Sequence, residues 1–395
     1  MECLYNPSLR DKPVAVGGDP EQRHGIVLAK NYIAKKYGVK TGEALWQAKQ
    51  KCPNIIFLSP DYKKYLRFSK MAKEIYSEYT DQIEPFGLDE AWLDVTGSIN
   101  LFGSGKKIAD EIRNRMKTEL GITVSIGVSY NKIFAKLGSD MKKPDAITEI
   151  YPDNFFEKVW PLPVNELLYV GPATLKKLKF YGIYTIGDLA KCESKYLHSW
   201  FGKNGIVLWQ FANGLDMSPV SNLNAKSVIK SVGNSTTTPR DLTNDDDVKI
   251  TLYLLSESVA ARLREYGFLC RTIQIYVRDN KLISFERQIK LNEPVCVSDI
   301  IAKTAFELFK ANIRSPFALR SIGVRACDLV NDRYRQLTFD SLGLQKQEDL
   351  ETAIDKIRYR FGHYAIQRGI MLSDKSLSNL NPKDDHVIHP VAFMR

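Results

Sequence analysis

Two neighbouring carboxylates, Asp89 and Glu90, point most directly to chemistry. Pro85 and Gly87 interrupt a strand-like stretch before them, and residues 91–96 alternate as a half-buried strand does. Two adjacent acids with few basic neighbours cost desolvation and repulsion, which a divalent cation would offset because hard cations take carboxylate oxygens. The alternative is an acidic turn solvated at a sheet edge. Neighbours on a regular strand point to opposite faces, so both acids can reach one metal only at a hairpin tip.

Three further residues could contact a phosphate. Residues 31–38 predict a helical turn that places Tyr32 and Lys35 on one face, where a phenol and an ammonium could grip a phosphate. A surface lysine beside a packed tyrosine explains the same pattern, and we favour it for this segment taken alone. Lys143 directly precedes Pro144. The proline ends the predicted helix 131–140 and leaves Lys143 just beyond the C-terminal end of that helix.

The composition favours a folded, basic protein. The chain has 395 residues, a formal charge of +10 and 26% charged residues, which suits a polyanionic partner, either nucleic acid or an acidic membrane face. The six cysteines lack a Cys-x-x-Cys pair and the five histidines form no cluster, so we expect neither a disulfide frame nor a zinc site. No apolar run could span a bilayer and the polar start is no signal peptide, so we expect a soluble, cytoplasmic protein.

The carboxylates lie within a predicted order of helix, strand, strand, helix, strand over residues 61–128, with the second helix at 105–120 and the last strand at 122–128. This order is that of a ferredoxin-like unit without its opening strand. Residues 151–226 follow as a small helical region. Within it, residues 167–189 predict helix, glycine turn, helix, so that Gly171 and Lys176 could cradle a phosphate without sequence preference. An ordinary helical hairpin remains the alternative.

The full strand-helix-strand-strand-helix-strand order is predicted after residue 227. We place its strands at 227–233, 269–278, 282–291 and 319–329, and its helices at 245–266 and 298–312. Arg240 and Arg278 belong to the positive charge of this unit, which fits a nucleic-acid backbone better than it fits a merely soluble surface. A polar, partly helical tail follows, with a helix at 349–361.

Together these residues resemble the Y-family (translesion) DNA polymerases, particularly the bacterial DNA polymerase IV-like group. Residues 87–94 are similar to the family's Ser-Ile-Asp-Glu-Ala-aromatic-Leu-Asp signature, which implies that Asp89 binds catalytic magnesium and that Glu90 is the second acidic catalytic residue. Residues 31–35 resemble a Tyr-x-Ala-Arg element that contacts the triphosphate, with Lys35 in place of the arginine. Lys143 matches a lysine that also touches the triphosphate.

The resemblance extends to the later segments. Residues 167–190 look like the helix-hairpin-helix of the thumb, although Tyr169 stands where glycine is common, and residues 227–333 are similar to the little finger. Gln336, Leu337 and Phe339 resemble a weakened sliding-clamp peptide.

The resemblance implies an α+β, multi-domain, right-hand polymerase that adds deoxynucleotides to a primer 3′ end with two magnesium ions. Its implied partners are primer-template DNA, deoxynucleoside triphosphates and a sliding clamp, and we expect a monomer. The expected domains are small fingers at 1–60 with a remnant of the palm, a ferredoxin-like palm at 61–150, the thumb at 151–218, a ferredoxin-like little finger at 227–333, and a tail with the clamp motif at 334–395.

One part of the family pattern is missing. Family members begin with an apolar strand that carries a metal-binding Asp, and this sequence starts just beyond it, so we expect impaired activity for the chain as given. Either the true start lies upstream, which we favour because the other catalytic residues are unbroken, or the chain is truly truncated. The alternative functions are a non-catalytic DNA- and clamp-binding repair protein and, less well supported, RNA binding.

Overall fold

A computed structural model describes residues 1–18, 25–225, 228–314, 316–334 and 341–383. The described residues form two compact units, one built from residues 1–10 and 61–225 and the other from those within 11–60 and 228–383. Gln336, Leu337 and Phe339 of the predicted clamp peptide lie outside the described residues. Within the described ranges, no helix is long and apolar enough to cross a membrane.

The elements are numbered in chain order. The α-helices of the described ranges are α1 (Glu2–Tyr5), α2 (Tyr32–Lys36), α3 (Leu45–Lys51), α4 (Tyr62–Ser77), α5 (Ile99–Phe102), α6 (Gly105–Leu120), α7 (Lys132–Met141), α8 (Phe155–Lys158), α9 (Pro172–Phe180), α10 (Ile186–Lys191), α11 (Ser194–Phe201), α12 (Lys203–Ala212), α13 (Asp245–Tyr266), α14 (Ser298–Asn312), α15 (Ser341–Phe361) and α16 (Lys375–Ser378). The strands are β1 (Val14–Gly17), β2 (Val27–Lys30), β3 (Ile56–Leu58), β4 (Ile83–Pro85), β5 (Ala91–Leu93), β6 (Ile126–Ser129), β7 (Ile147–Ile150), β8 (Val232–Leu242), β9 (Phe268–Asp279), β10 (Ser284–Val295) and β11 (Leu319–Asn331).

The first unit contains two short strand pairs and the helices packed on them. Strands β4 and β5 pair antiparallel, whereas β6 and β7 pair parallel through the crossover helix α7. The predicted order of helix, strand, strand, helix, strand is confirmed by α4, β4, β5, α6 and β6. The last strand begins at Ile126 rather than 122, because the Ile122 N–H still bonds to the Met116 carbonyl and closes the end of α6.

A close backbone contact fixes helix α7 against strand β6. A Cβ atom on Gly127 of β6 would lie 1.9 Å from the Ala135 carbonyl oxygen and 2.7 Å from the Ser139 nitrogen. From the helix side, a Cβ on Gly138 would lie 3.2 Å from the Gly127 Cα. Two glycines therefore let strand and helix approach more closely than side chains would allow, which sets where the polar face of α7 points.

Helices α9 to α12 follow, around a core that includes Leu178, Ile186, Leu197 and Leu208. The predicted helix, glycine turn, helix is present as α9 and α10, joined at Gly182, whose φ of +77° is one that glycine adopts readily.

In the second unit, the described residues before Pro60 form a three-stranded sheet of order β2-β1-β3. Asn31 is the N-cap of helix α2, which lies beside this sheet. Its side chain accepts a hydrogen bond from the Ala34 N–H and donates one to the Lys12 carbonyl. This cap holds the short helix that carries Tyr32 and Lys35.

The larger part of the second unit is a fully antiparallel sheet of order β10-β9-β11-β8. Helices α13 and α14 match the predicted bounds 245–266 and 298–312. Strands β9 and β11 extend the predicted strands by one or two residues, whereas β10 begins two residues later and ends four residues later than predicted. The helices share a core with the inward side chains of the sheet, such as Ile273, Ile275 and Val277. The opposite face of β9 presents Gln274, Tyr276 and Arg278.

The prediction of a first strand at 227–233 was wrong, because β8 runs from Val232 to Leu242. Three successive inward positions, Asn234, Thr236 and Thr238, are polar and buried, so the apolar alternation that marks a strand is missing from the middle of β8. Hydrogen bonds satisfy these groups: Asn234 donates to the Ser258 hydroxyl, and Thr238 donates to the Arg240 carbonyl.

Residues 341–383 are an integral part of the second unit. Helix α15 begins at Ser341, eight residues before the prediction, and Leu344, Met371 and Leu377 join the core of the sheet. Buried Glu257 of α13 is paired with Arg358 at 2.8 Å and with Arg368 at 2.9 Å. The described part of the predicted polar tail is therefore tied down by both apolar and ionic contacts.

We expect Gly127→Ala to lower the free energy of unfolding by about 3 kcal/mol, because the new methyl group meets backbone atoms that cannot rotate away. Gly97→Ala is the matched control, since a Cβ there meets nothing within 4 Å, and it should stay within about 0.5 kcal/mol. Urea unfolding of both variants measures the difference. Equal stabilities would contradict the contact.

Candidate functional site

Asp89 and Glu90 lie at the tip of the β4–β5 hairpin. The Phe86 N–H donates to the Glu90 carbonyl at 2.9 Å and closes the turn, which Gly87 enables with a φ of +135°. Asp89 is exposed and Glu90 is half-buried. The two acids therefore occupy the position at which neighbouring side chains can serve one ligand.

Helix α7 faces this hairpin with residues spaced four apart. The Trp92 indole N–H donates to the Lys132 carbonyl at 2.9 Å, and the Lys132 ammonium lies 2.9 Å from Glu84 of β4. One turn later, the Lys136 ammonium lies 3.3 Å from the Glu90 carboxylate. Residues i and i+4 share a helix face, so the same side of α7 meets the strand and the tip of the hairpin.

The charges continue from the hairpin to Lys143 in alternating sign. Asp140 accepts from Lys136 at 2.5 Å and from Lys143 at 2.7 Å, so Glu90, Lys136, Asp140 and Lys143 form one chain of ion pairs. Burial disfavours the charged form of Asp140, but its hydrogen bonds with the two lysines outweigh burial and hold its pKa below the usual range. Burial likewise opposes the Lys136 ammonium, but Asp140 and Glu90 prevail and raise its pKa.

Asp89 differs from Glu90 in its surroundings. Burial raises the pKa of the Tyr76 phenol to about 12, and the negative charge of Asp89 adds to this effect. Within the ranges that the structure describes, no lysine, arginine or histidine pairs with Asp89. Its oxygens are therefore available to a cation.

The hairpin fits a magnesium ion as an incomplete donor set. No group of three or more His, Cys, Asp or Glu side chains suitable for a metal occurs among the described residues. Magnesium is commonly held by one or two carboxylates, with waters and substrate phosphates as its other ligands. An unpaired, exposed Asp89 beside Glu90 supplies that kind of partial site.

Tyr32 and Lys35 lie together on α2 of the second unit. The Lys35 ammonium is 6.0 Å from the centre of the Tyr32 ring, and Tyr32 is exposed, so the predicted shared face is confirmed. Their contact with a triphosphate stays a prediction.

Gly171 and Lys176 belong to the start of helix α9. Gly171 is the N-cap and, as a glycine, has no side chain that could cap the first N–H groups of the helix. Lys176 is exposed one turn further along. The preceding turn puts Tyr169 at a φ of +69°, the left-handed region that favours glycine, which is the residue common at this place in the family pattern. A cavity of about 540 Å³ lies between residues 165–171 and the Lys136–Asp140 pair.

The two predicted DNA-binding arginines of the sheet differ. The Arg240 guanidinium donates to Asp247 at 2.6 Å and to Asp374 at 2.7 Å, so its charge is compensated within the unit. Arg278 lies on the sheet face opposite α13 and α14, and its guanidinium donates to the Leu282 carbonyl.

The sequence interpretation missed Lys136 and Asp140. Their signal was visible in the sequence, because the two residues are four apart and directly precede the segment that ends at Lys143.

Comparison with known proteins gives the family. Two profiles match, the impB/mucB/samB family at residues 1–140 and the impB/mucB/samB family C-terminal domain at residues 229–339. The chain is 53% identical to DNA polymerase IV of Acetivibrio thermocellus over 96% of each chain. It is 36% identical to DNA polymerase IV 2 of Bacillus subtilis over 94% of this chain and 92% of the relative. The chain belongs to the Y-family DNA polymerases.

Solved structures agree. A chimera of the Y-family polymerases Dbh and Dpo4 superimposes with a TM-score of 0.71 at 26% identity, covering 84% of this chain and 95% of the chimera. A structure described as an insertion ternary complex of Dbh DNA polymerase gives a TM-score of 0.57 with the same identity and coverage. The predicted α+β polymerase fold and the translesion DNA polymerase function are confirmed. Polymerases of this family act on DNA and nucleotides and use divalent metal ions.

We expect the Glu84–Lys132 pair that joins the hairpin to α7 to give a pH-dependent contribution to stability. Burial would raise the pKa of Glu84, but its bonds with Lys132 and the Ser221 N–H outweigh burial and lower the pKa below the ordinary 4.5. The contribution should be complete above pH 4.5 and should disappear as the pH falls through the depressed pKa.

Glu84→Gln should therefore lower the free energy of unfolding by about 1–2 kcal/mol at pH 7, and this difference should shrink as the pH falls below 4.5 towards pH 3. Chemical unfolding of both proteins across this pH range gives the comparison. A gap between the two proteins that stays constant with pH would show that Glu84 is not held ionised by Lys132.

Proposed function

We propose that the tip of the β4–β5 hairpin and the end of α7 form the nucleotidyl-transfer site of this polymerase. The observation that carries the proposal is the ion-pair chain from Glu90 through Lys136 and Asp140 to Lys143, because it joins the acids to the predicted triphosphate contact. The first unit thus supplies both an acidic group for a cation and a cationic group for a polyphosphate.

In this proposal Asp89 binds two magnesium ions and Glu90 is the acidic partner near the primer end. Two metal ions supply charge neutralisation for the triphosphate and for the attacking and leaving oxygens. Within the hairpin, the roles divide by environment: Asp89 has its oxygens available, whereas Lys136 orients the Glu90 carboxylate.

Lys143 of the first unit binds the incoming triphosphate. Tyr32 and Lys35 of the second unit keep the phosphate-binding role that the family pattern implies for them. The Lys143 side chain is 41% exposed, so it can reach a ligand without unfolding the helix end. Lys35 acts as a point charge, since a lysine lacks the fork with which arginine binds two phosphate oxygens.

DNA binding involves both units. Gly171 and Lys176 present the start of α9 to the phosphate backbone. Arg278 and the exposed Arg325, which is next to Gln274 in the sheet register, give the helix-free sheet face its positive charge. We assign residues 1–60 to the fingers with a remnant of the palm, 61–150 to the palm, 151–218 to the thumb and 227–333 to the little finger. Residues 334–395 are assigned to a C-terminal tail with the clamp motif, and the described part of this tail packs into the core of the second unit. The protein acts as a monomer and binds a sliding clamp through Gln336, Leu337 and Phe339.

We expect Asp89→Asn and Glu90→Gln each to slow insertion of the next deoxynucleotide roughly 100- to 1000-fold, because each removes charge that acts on the reacting groups. Asp94→Asn is the matched control, because the Asp94 carboxylate of the same segment accepts a hydrogen bond from the Thr96 N–H. Its insertion rate should stay within roughly twofold of the parent rate. Magnesium-dependent primer extension gives the rates.

The same assay compares this chain with a version extended upstream. If neither protein extends the primer although both bind DNA, a non-catalytic DNA-binding protein is favoured. If primer extension requires the added upstream residues but not Asp89 or Glu90, the catalytic site does not lie at the hairpin.

We expect Arg278→Ala to affect DNA binding and Arg240→Ala to affect stability. Arg278→Ala should weaken DNA binding and reduce the slope of log affinity against log salt by about one, as the loss of one phosphate contact does. Arg240→Ala should leave that slope unchanged but lower the free energy of unfolding by about 1–2 kcal/mol, because buried Asp247 loses its partner. Fluorescence titration at several salt concentrations and urea unfolding separate the two. A reduced slope for Arg240→Ala alone would reverse the assignment.

A further inference from the structure

Asp140 holds two lysines with two different oxygens. The Lys136 ammonium contacts Oδ2 at 2.5 Å, and the Lys143 ammonium contacts Oδ1 at 2.7 Å. The Asp140 carboxylate therefore binds the Lys143 ammonium, to which a phosphate oxygen of the triphosphate would otherwise bind. In charge and in oxygen geometry, it is the intramolecular counterpart of such a ligand.

The two lysines are not equally sheltered. The Lys136 side chain is 16% exposed, whereas those of Lys143 and Asp140 are each 41% exposed. An ion pair that faces water is held weakly, so the Lys143 pair can exchange its partner while the Lys136 pair persists. The cavity of about 540 Å³ beside Lys136 and Asp140 leaves room for side chains to move.

Helix stability does not explain the acid at this position. Asp140 lies in the last turn of α7, which ends at Met141, and a negative charge there opposes the helix dipole. The lysines offset this cost, but a neutral residue would avoid it. The placement of Asp140 is instead explained if its effect on Lys143 matters.

We propose that Asp140 is a built-in competitor for the triphosphate at Lys143, and that Lys136 sets the strength of the competition. When a triphosphate takes Lys143, Asp140 keeps Lys136 as its counter-charge, so a half-buried carboxylate is not left unpaired. Without Lys136, Asp140 would have Lys143 as its one remaining partner in this chain of ion pairs and would release it less readily. The inference rests on the proposed role of Lys143.

A purely structural role for Asp140 predicts the opposite sign. If the ion pairs only order the end of α7, removing either Asp140 or Lys136 disorders Lys143 and weakens nucleotide binding. Competition predicts that loss of Asp140 strengthens nucleotide binding, loss of Lys136 weakens it, and loss of both cancels the weakening.

The test is equilibrium binding of the template-complementary deoxynucleoside triphosphate to the complex of this chain with a dideoxy-terminated primer-template and magnesium, where no chemistry occurs. We expect Asp140→Asn to tighten binding roughly two- to fivefold, the range of an exposed ion pair, and Lys136→Met to weaken it by a similar factor. The double variant should bind at least as tightly as the parent. The gain from Asp140→Asn should shrink at high salt because screening already weakens the pair.

Matched controls come from α4, where Lys70 and Glu74 form an exposed pair at 4.0 Å with the same four-residue spacing as Lys136 and Asp140. Lys70→Met and Glu74→Gln should leave nucleotide binding unchanged. Asp140→Ser is a second variant that removes the charge if the asparagine protein does not fold.

Lys143→Met separates the failure of this inference from that of the proposed site. If Lys143→Met does not weaken nucleotide binding, Lys143 does not bind the triphosphate, and Asp140 cannot compete with the triphosphate for it. If Lys143→Met weakens binding but Asp140→Asn and Asp140→Ser weaken it or leave it unchanged, the competition alone is overturned. Weakening by Lys136→Met that persists in the double variant would also overturn it.

Discussion

The close approach of strand β6 and helix α7 at Gly127 and Gly138 is the constraint on which the site depends. With no Cβ atoms between them, the backbones pack in direct contact, and the helix has little freedom to rotate or slide. That fixed orientation aims Lys132 at β4 and Lys136 at the hairpin tip. A rotation of α7 by one residue, or about 100°, would turn these side chains away from the carboxylates they meet.

The two acids of the hairpin show how adjacent residues of similar chemistry are given different tasks. Lys136 compensates the charge of Glu90, which orients this carboxylate and relieves its repulsion with its neighbour. Asp89 has no such partner within the described ranges, so its charge is left for a cation from solution. The division arises from one lysine on one helix rather than from the hairpin itself.

Much of the fold could be predicted from local signals in the sequence. Helices α6 and α13 matched their predicted bounds because each ends at a glycine that adopts a left-handed conformation, Gly121 and Gly267. Strand β8 could not be located because the inward residues in its middle are threonine and asparagine, which become acceptable in a core only through hydrogen bonds that the sequence does not display. The signals that succeeded were those in which the deciding interaction is close in sequence.

The same distinction applies to the site. The acids at 89 and 90 and the spacing of Tyr32 and Lys35 were visible as patterns, and so was the four-residue spacing of Lys136 and Asp140. The pairing of Lys136 with Glu90 was not, because it joins segments that are distant in the chain and depends on which face α7 turns to the hairpin.

The contacts of residues 341–383 have a consequence for any shortened form of this polymerase. A chain ending at residue 340 would keep every strand of the large sheet, yet it would strip Glu257 of Arg358 and Arg368 and leave a buried carboxylate without its counter-ions. It would also uncover the apolar surface beneath Leu344, Met371 and Leu377. Minimal versions of the enzyme must therefore retain this segment, which works as the outer layer of the sheet's helical side rather than as a dispensable appendage.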